Sequence, residues 1–180
     1  MFKVAIIIFL FFFLSACSEG TDYSDVQIIG KEQGNNSLKI KGRGVMFDDG
    51  SVLTSAHVVS DDRINYTIEG KEYFTIERDV GGDRAILIQS GIQTIYSLNM
   101  FPKKIHTGSI VSTKVIRSGS VSLLTGSVLF PHKSIVGYDS FGRVVELNGL
   151  VLTDMDLISG DSGAGIYAEN GELIDVVHVK

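Results

Sequence analysis

The sequence predicts an all-β protein made of two six-stranded antiparallel β-barrels, with the functional site in the cleft between them. Three observations support this prediction. Glycine accounts for 20 of the 180 residues and proline for only 2, and glycine-containing turns recur along the chain. Short runs rich in Val, Ile, Ser and Thr lie between those turns, and no long helix-forming run is present. Because each unit would have a thin core, we expect the two units to pack against each other.

The N-terminal residues 1–16 are predicted to be a secretory signal peptide. Lys3 supplies the positive charge that is typical of the N-terminal region of a signal peptide. The unbroken apolar run of eleven residues at 4–14 is too short to cross a bilayer comfortably. The segment Leu-Ser-Ala-Cys at 14–17 resembles a bacterial lipobox, which implies cleavage that leaves a lipidated N-terminal Cys17. This is the single cysteine of the chain, so no intramolecular disulfide can form. The alternative is a plain signal peptide followed by a coincidental cysteine.

The N-terminal segment also predicts a location. It implies export and a lipid anchor at a bacterial membrane, with the protein facing the periplasm or the exterior. Ser18 after Cys17 resembles the sorting pattern for the outer membrane of a Gram-negative cell. Residues 17–25 are polar and small, as expected of a tether.

The charge of the chain argues against one class of partner. The formal net charge is −5, and no basic stripe is present, so nucleic acid is not expected to bind. Removal of residues 1–16 takes away only Lys3, which gives 15 − 21 = −6 for the mature chain. The expected partners are a protein or peptide substrate and, through the anchor, the membrane.

Residues 26–90 are predicted to form the first barrel. Asp48-Asp49-Gly50 is a hairpin turn signal, and Glu69-Gly70-Lys71 is a second one. A single helical turn is expected around His57. The expected strands are 26–29, 37–41, 45–47, 51–54, 63–68, 73–77 and 85–88.

Residues 91–107 are less regular and contain Pro102, so they are predicted to connect the barrels. Residues 108–180 are predicted to form the second barrel, with turns marked by Gly or Pro between its strands. The expected strands are 109–117, 121–129, 134–138, 144–147, 150–153, 164–167 and 173–179.

The segment 159–165, Ser-Gly-Asp-Ser-Gly-Ala-Gly, is predicted to be a sharp turn that exposes the Ser162 hydroxyl. The backbone N–H groups of Gly160 and Ser162 can point into one space beside that hydroxyl, as an oxyanion site requires. A serine hydroxyl is a weak nucleophile and also needs a base and a group that orients the base. An ordinary Gly/Ser-rich hairpin loop is the alternative reading of this segment.

Among the four histidines, His57 is the best candidate for the base. It follows an apolar strand and the small residues at 55–56, which allow close approach of another unit. His106 and His132 lie in polar or turn segments and are expected at the surface. His178 is expected to be a frayed residue near the C-terminus.

Asp83 is the best candidate for the orienting group. It precedes the apolar run 85–88, where an aspartate is costly to bury unless it is hydrogen-bonded. An imidazole N–H could supply that hydrogen bond. Asp61, Asp62 and Asp79 lie in more polar runs and are expected to be solvated.

Three motifs in chain order resemble those of trypsin-like (chymotrypsin-fold) serine peptidases. They are Leu-Thr-Ser-Ala-His-Val-Val at 53–59, Asp-Arg-Ala-Ile-Leu at 83–87 and Gly-Asp-Ser-Gly at 160–163. The resemblance covers roughly residues 37–180 and is strongest to the compact bacterial branch that includes HtrA-type peptidases, and no PDZ domain follows within the 180 residues.

The resemblance implies a chymotrypsin-like fold and a catalytic triad of His57, Asp83 and Ser162. It implies peptide-bond hydrolysis through an acyl-enzyme, with the oxyanion held by the backbone of Gly160 and Ser162. No metal or organic cofactor is expected.

Some residues depart from the family pattern. Asp161 needs a partner other than a freed N-terminus, and Asp175 stands where glycine is common. For the specificity pocket, Asp156 would favour Lys or Arg, while its surrounding run resembles HtrA, which prefers small apolar side chains. His178, if it lines the pocket, would favour acidic side chains.

Two other functions stay open at this point. The departures are compatible with a catalytically weak, peptidase-fold lipoprotein that binds a peptide or protein. An esterase using the same triad is the third possibility.

Overall fold

The computed structural model describes residues 23–32, 38–138 and 144–178. Within these ranges the chain forms eleven β-strands and two short 3₁₀ turns, and no α-helix. The predicted signal peptide, Cys17 and most of the tether lie outside the described residues. No helix in the described ranges has the length and apolar character that a membrane crossing needs.

The first unit is a closed barrel with the strand order β1-β2-β3-β6-β5-β4, and all neighbours are antiparallel. The turn between β2 and β3 follows the predicted signal, because Gly50 has a φ of 79° and Asp49 accepts the Ser51 N–H at 2.8 Å. The strands are β1 (Ser24–Glu32), β2 (Leu38–Met46), β3 (Val52–Ser55), β4 (Ile64–Ile68), β5 (Lys71–Asp79) and β6 (Arg84–Ile88).

The second unit is a five-stranded half-barrel with the order β11-β10-β7-β8-β9. The all-β, two-unit fold class is therefore confirmed, and the described residues supply five strands to the unit for which six were expected. The strands are β7 (Ile110–Arg117), β8 (Ser120–Tyr138), β9 (Val144–Thr153), β10 (Gly165–Ala168) and β11 (Leu173–Val176).

Seven strand segments were expected in the sequence of this unit, and four of them merge into the two long strands β8 and β9. Pro131 and Gly149 were expected to end strands. Instead, Pro131 lies inside β8 and Gly149 lies inside β9. The β8–β9 register shifts between Phe130 and Lys133. Proline is tolerated at such an irregularity because no regular ladder hydrogen bond is needed there.

An apolar layer joins the two units. It contains residues of both, and Phe47 stacks on Tyr96 with ring centroids 3.8 Å apart. Burial of these side chains stabilises the contact between β3 and β11, which positions the residues described below. The layer consists of Val45, Phe47, Leu53, Ile86, Leu98, Phe101, Leu173 and Val176.

Candidate active site

His57 and Asp83 meet at the ends of two neighbouring strands. His57 lies in the 3₁₀ turn Ala56–Val59 after β3, and Asp83 directly precedes β6, whose Arg84 pairs with Ser55. Asp83 Oδ2 accepts a hydrogen bond from His57 Nδ1 at 2.7 Å, and Asp83 Oδ1 accepts the backbone N–H of His57 at 3.0 Å. Because a carboxylate only accepts, Nδ1 carries the proton and Nε2 is the basic nitrogen.

Asp83 is held in an uncommon backbone conformation. Its φ is +52°, in the left-handed region that aspartate tolerates better than most residues. Its carbonyl accepts the Ala56 N–H at 3.0 Å, which ties the turn to the residue before His57. Such local strain is typical of functional sites, where the surrounding structure enforces it.

The Asp83 side chain is 2% exposed, whereas the His57 side chain is 25% exposed. Burial by itself would raise the pKa of Asp83. The neighbouring imidazoles of His178 and His57 outweigh that effect and hold the pKa of Asp83 well below its usual range. The site therefore combines a buried anion with a partly open imidazole.

The turn that contains Ser162 is pressed against β2. The Ser162 carbonyl accepts the Arg43 N–H at 2.8 Å, and the Gly163 N–H donates to the Val177 carbonyl at 2.8 Å. A Cβ at Gly163 would lie 1.8 Å from the Arg43 carbonyl oxygen and 2.5 Å from Thr54 Oγ1, and φ there is +86°. Both the space and the backbone conformation therefore require glycine after Ser162.

Gly42 brings the Ser162 turn next to the His57 turn. A Cβ at Gly42 would lie 2.7 Å from Val58 Cγ2 and 2.9 Å from the Ser162 carbonyl oxygen. The Val58 side chain and the backbone of Ser162 thus both lie close to the Cα of Gly42, where a larger residue would not fit. Gly160, the other predicted oxyanion donor, has a φ of +98°. The assignment of Ser162 as nucleophile and of these two N–H groups as donors stays a prediction.

Arg117 is the partner of Asp161, and sequence reasoning missed it. The guanidinium donates to both carboxylate oxygens of Asp161, at 2.6 and 2.7 Å, and the Ile158 N–H donates to Oδ2 at 2.9 Å. Burial would raise the pKa of Asp161, but the Arg117 hydrogen bonds and charge lower it below its usual value. Arg117 ends β7, 44 residues before Asp161, so no local pattern in the sequence links the two.

Asp175 also has a partner that the sequence did not reveal. It is fully buried and forms a bidentate ion pair with Arg84, at 2.7 and 2.6 Å. Arg84 also donates to the Gly149 carbonyl at 2.9 Å. The pairing satisfies a carboxylate that burial alone would penalise. Arg84 stands within the aspartate motif, but its target lies 91 residues away.

His178 is neither frayed nor on a surface that a substrate side chain could contact. Its side chain is 5% exposed, and its ring nitrogens face Asp83 and Asp175, each at 3.5 Å. The expectation of a frayed end is wrong because the ring is held by contacts with Ser55 on β3, Asp83 before β6 and Asp175 on β11. A buried ring between two carboxylates does not suit the expected binding of acidic side chains.

The remaining candidates lie at the surface. Asp156 is exposed, and its carbonyl accepts a hydrogen bond from Arg117 at 3.4 Å. His106 and His132 are exposed, as expected. Within residues 23–32, 38–138 and 144–178, no group of three or more His, Cys, Asp or Glu side chains is arranged to hold a metal ion.

Comparison with solved structures shows that proteases share this fold. The Rv3671c protease from M. tuberculosis, in its active form, matches with a TM-score of 0.60 and 21% identity over 85% of this chain and 68% of that one. Deg5 matches with a TM-score of 0.59 and 20% identity over 85% and 78% of the two chains. The MamO protease domain from Magnetospirillum magneticum matches with a TM-score of 0.62 and 16% identity over 84% and 82%.

These likenesses show a chymotrypsin-like fold shared with HtrA/Deg-type serine protease domains. No protein-family model and no curated protein sequence matches the chain.

Proposed function

We propose that this protein is a serine endopeptidase that hydrolyses peptide bonds of exported proteins. The observation that carries the proposal is the double hydrogen bond between His57 and Asp83, at 2.7 and 3.0 Å. In a protease fold, this pairing presents the basic Nε2 of an oriented imidazole to a nucleophile. Ser162 is the candidate nucleophile because its turn packs beside the His57 turn across Gly42.

The reaction follows from these groups. The Ser162 hydroxyl attacks the scissile carbonyl carbon while His57 Nε2 takes the hydroxyl proton, and Asp83 stabilises the imidazolium that forms. The N–H groups of Gly160 and Ser162 bind the oxyanion. His57 then protonates the leaving amine, which departs and leaves an acyl-enzyme. Water, deprotonated by His57, attacks the ester, and His57 returns that proton to the Ser162 oxygen as the acyl–oxygen bond breaks and the second product leaves.

The ion pair between Arg117 and Asp161 supports this proposal. It anchors the residue immediately before Ser162 with two short hydrogen bonds, so the turn does not depend on a freed N-terminus. The Asp175–Arg84 pair gives the buried Asp175 carboxylate a partner of opposite charge within the late strand β11. The weak peptide-binding module therefore gains no structural support from Asp175.

The enzyme proposal is tested by covalent labelling. The purified full-length protein is treated with a fluorophosphonate probe, and the labelled residue is identified by mass spectrometry. We expect labelling at Ser162 that is lost in His57→Ala and Ser162→Ala and retained in His106→Gln, a surface histidine control. No labelling of the parent protein, or equal labelling of His57→Ala, contradicts a Ser-His mechanism. An unlabelled protein that still binds peptides would be the binding module. Comparison of the hydrolysis rates of ester and peptide substrates distinguishes an esterase from a peptidase.

The location is proposed from the N-terminal sequence alone. An apolar run followed by Leu-Ser-Ala-Cys supports lipidation at Cys17 and anchoring of the domain to a bacterial membrane. We expect Cys17→Ser to release the protein from the membrane fraction and to abolish its labelling with palmitate. Membrane retention of Cys17→Ser would contradict the anchor.

A further inference from the structure

His178 is a second histidine in contact with the Asp83 carboxylate. Its Nδ1 lies 3.5 Å from Asp83 Oδ2, the same oxygen that accepts the 2.7 Å hydrogen bond from His57 Nδ1. Its Nε2 lies 3.5 Å from Asp175 Oδ2, which Arg84 also contacts at 2.6 Å. A chain of charged groups therefore runs from His57 through Asp83, His178 and Asp175 to Arg84.

The hydrogen bonds of the Ser55 hydroxyl show that one nitrogen of the His178 ring, Nδ1, carries a proton. Ser55 Oγ donates its single proton to the Val177 carbonyl at 2.6 Å. It also lies 3.3 Å from His178 Nδ1. Because its proton is already used, Ser55 can only accept in that contact, so Nδ1 carries a hydrogen. That hydrogen is shared between Ser55 Oγ and Asp83 Oδ2.

The other nitrogen of the ring faces a carboxylate. His178 Nε2 is buried, makes no hydrogen bond of good geometry within the described part of the chain, and lies near Asp175 Oδ2. A neutral ring with its proton on Nδ1 would turn a lone pair toward that anion. Protonation of Nε2 replaces this repulsion with attraction, so the surroundings favour the imidazolium.

The charges of the neighbouring groups also favour the imidazolium form of His178. The charged groups that face His178 are Asp83 before β6 and Asp175 on β11, with Arg84 of β6 behind Asp175. Ser55 of β3, which also approaches it, is uncharged. Two anions and one guanidinium leave one negative charge in a buried region, and a protonated His178 makes the set neutral. Burial lowers the pKa of His178, but Asp175 and Asp83 outweigh burial and raise it.

We propose that His178 is a positioning residue of this site: as an imidazolium it bridges Asp83 and Asp175, fixes the carboxylate that orients His57, and weakens the hold of that carboxylate on the His57 proton. The proposal rests on the proposed peptidase function for its kinetic consequence, but not for its structural one. The cation offsets part of the Asp83 charge, so the carboxylate attracts a protonated His57 less strongly than it would without the cation.

The structural consequence is tested by NMR of the ¹⁵N-labelled full-length protein. In the parent at pH 7, both ring nitrogens of His178 should have the shifts of protonated nitrogen. In His178→Gln, the His57 ring signals should titrate at a pH higher by about one unit, because one positive charge is gone from the neighbourhood of Asp83. His106→Gln is the matched control and should leave the His57 titration unchanged.

Two NMR results would overturn the proposal. One is a neutral His178 ring at pH 7 in the parent, a measurement that needs no variant and so holds even if His178→Gln does not fold. The other is a folded His178→Gln protein whose His57 titration equals that of the parent. Lower stability alone, without a shift in titration, means that His178 only fills space.

The kinetic consequence is tested with the same variants and the fluorophosphonate probe. We expect the acid limb of the labelling rate in His178→Gln to move to higher pH by the same one unit, with a plateau rate lower by at least about tenfold because Asp83 is less well fixed. An unchanged acid limb in a labelled, folded variant overturns the proposal. If the parent is not labelled at all, the peptidase function fails, and the NMR result still decides the role of His178.

Discussion

Arg117 and Asp161 form a bidentate ion pair, at 2.6 and 2.7 Å, immediately before the proposed nucleophile. The pair joins the end of β7 to the turn at 159–163, two segments that lie far apart in the chain. Asp161 is buried, whereas the Arg117 side chain is 29% exposed. The guanidinium therefore reaches inward from the surface to hold the turn that contains Ser162.

Replacement of Arg117 by alanine should slow the chemistry at Ser162. Asp161 would lose two charge-assisted hydrogen bonds, and the adjacent N–H groups would no longer be fixed toward the oxyanion. We expect the rate of fluorophosphonate labelling to fall about 10- to 100-fold. Arg63→Ala is the matched control, because Arg63 forms a similar two-bond pair with Asp61 at the surface. Equal rates for Arg117→Ala and the parent would contradict this role.

Replacement of Asp83 by asparagine should abolish most activity and preserve the fold. Asparagine tolerates the left-handed φ of +52° at this position. Its amide would favour the wrong tautomer of His57 and could not stabilise the imidazolium, so we expect the turnover rate to fall about 10⁴-fold. Peptide hydrolysis and circular dichroism are measured together. The control Asp62→Asn changes an exposed carboxylate, and comparable losses in both variants would argue against a specific role for Asp83.

Substitution of Gly163 by alanine should prevent correct folding of the nucleophile turn. The left-handed backbone would cost about 1–2 kcal/mol, and the clash 1.8 Å from the Arg43 carbonyl would add about 1–3 kcal/mol or more. Gly171→Ala isolates the backbone cost, because Gly171 has a φ of +82° and open space around its Cα. Chemical denaturation of both variants measures the difference between their losses in free energy of unfolding. If they lose equal stability, contact with β2 does not constrain the turn.

The buried pair Arg84–Asp175 should matter far more to stability than a surface pair. Arg84→Met would leave the Asp175 carboxylate buried without its guanidinium, and we expect the free energy of unfolding to fall by about 3–5 kcal/mol. Lys103→Met, which breaks the exposed pair with Glu172, should cost less than about 1 kcal/mol. Similar losses in urea denaturation would show that the Arg84 pair is not isolated from solvent.

Stability should decline in acid because Asp161 has a lowered pKa in the folded state. A group with a depressed folded pKa contributes its full stabilisation above its unfolded value, 3.8 for Asp161, and loses it as the pH falls through the folded pKa. We therefore expect the free energy of unfolding to drop as the pH falls below about 4. In Arg117→Ala the folded pKa returns toward the unfolded one, so that drop should be smaller. An equally steep drop in both proteins would assign it to other carboxylates, such as Asp83.

Local residue types were sufficient to predict the all-β class and several turns. Gly50 lies in the hairpin turn that was predicted for it, since an Asp-Gly turn depends only on adjacent residues. The contact between His57 and Asp83 was also expected, because each has a distinctive neighbourhood of small or apolar residues. The merging of strands into β8 and β9 was not expected, since Pro131 interrupts a regular ladder and only the partner strand shows that a register shift accommodates it.

The partners of the buried charges could not be predicted in the same way. The sequence by itself determined where several turns lie. The preference of glycine, aspartate and serine for turns depends on their own backbone and on adjacent residues. Only the tertiary structure decided that Arg117 meets Asp161, that Arg84 meets Asp175, and that His178 lies between two carboxylates. The physical reason is that a buried charge can be satisfied by any complementary group that packing brings within a few ångströms, however far away it is in the chain.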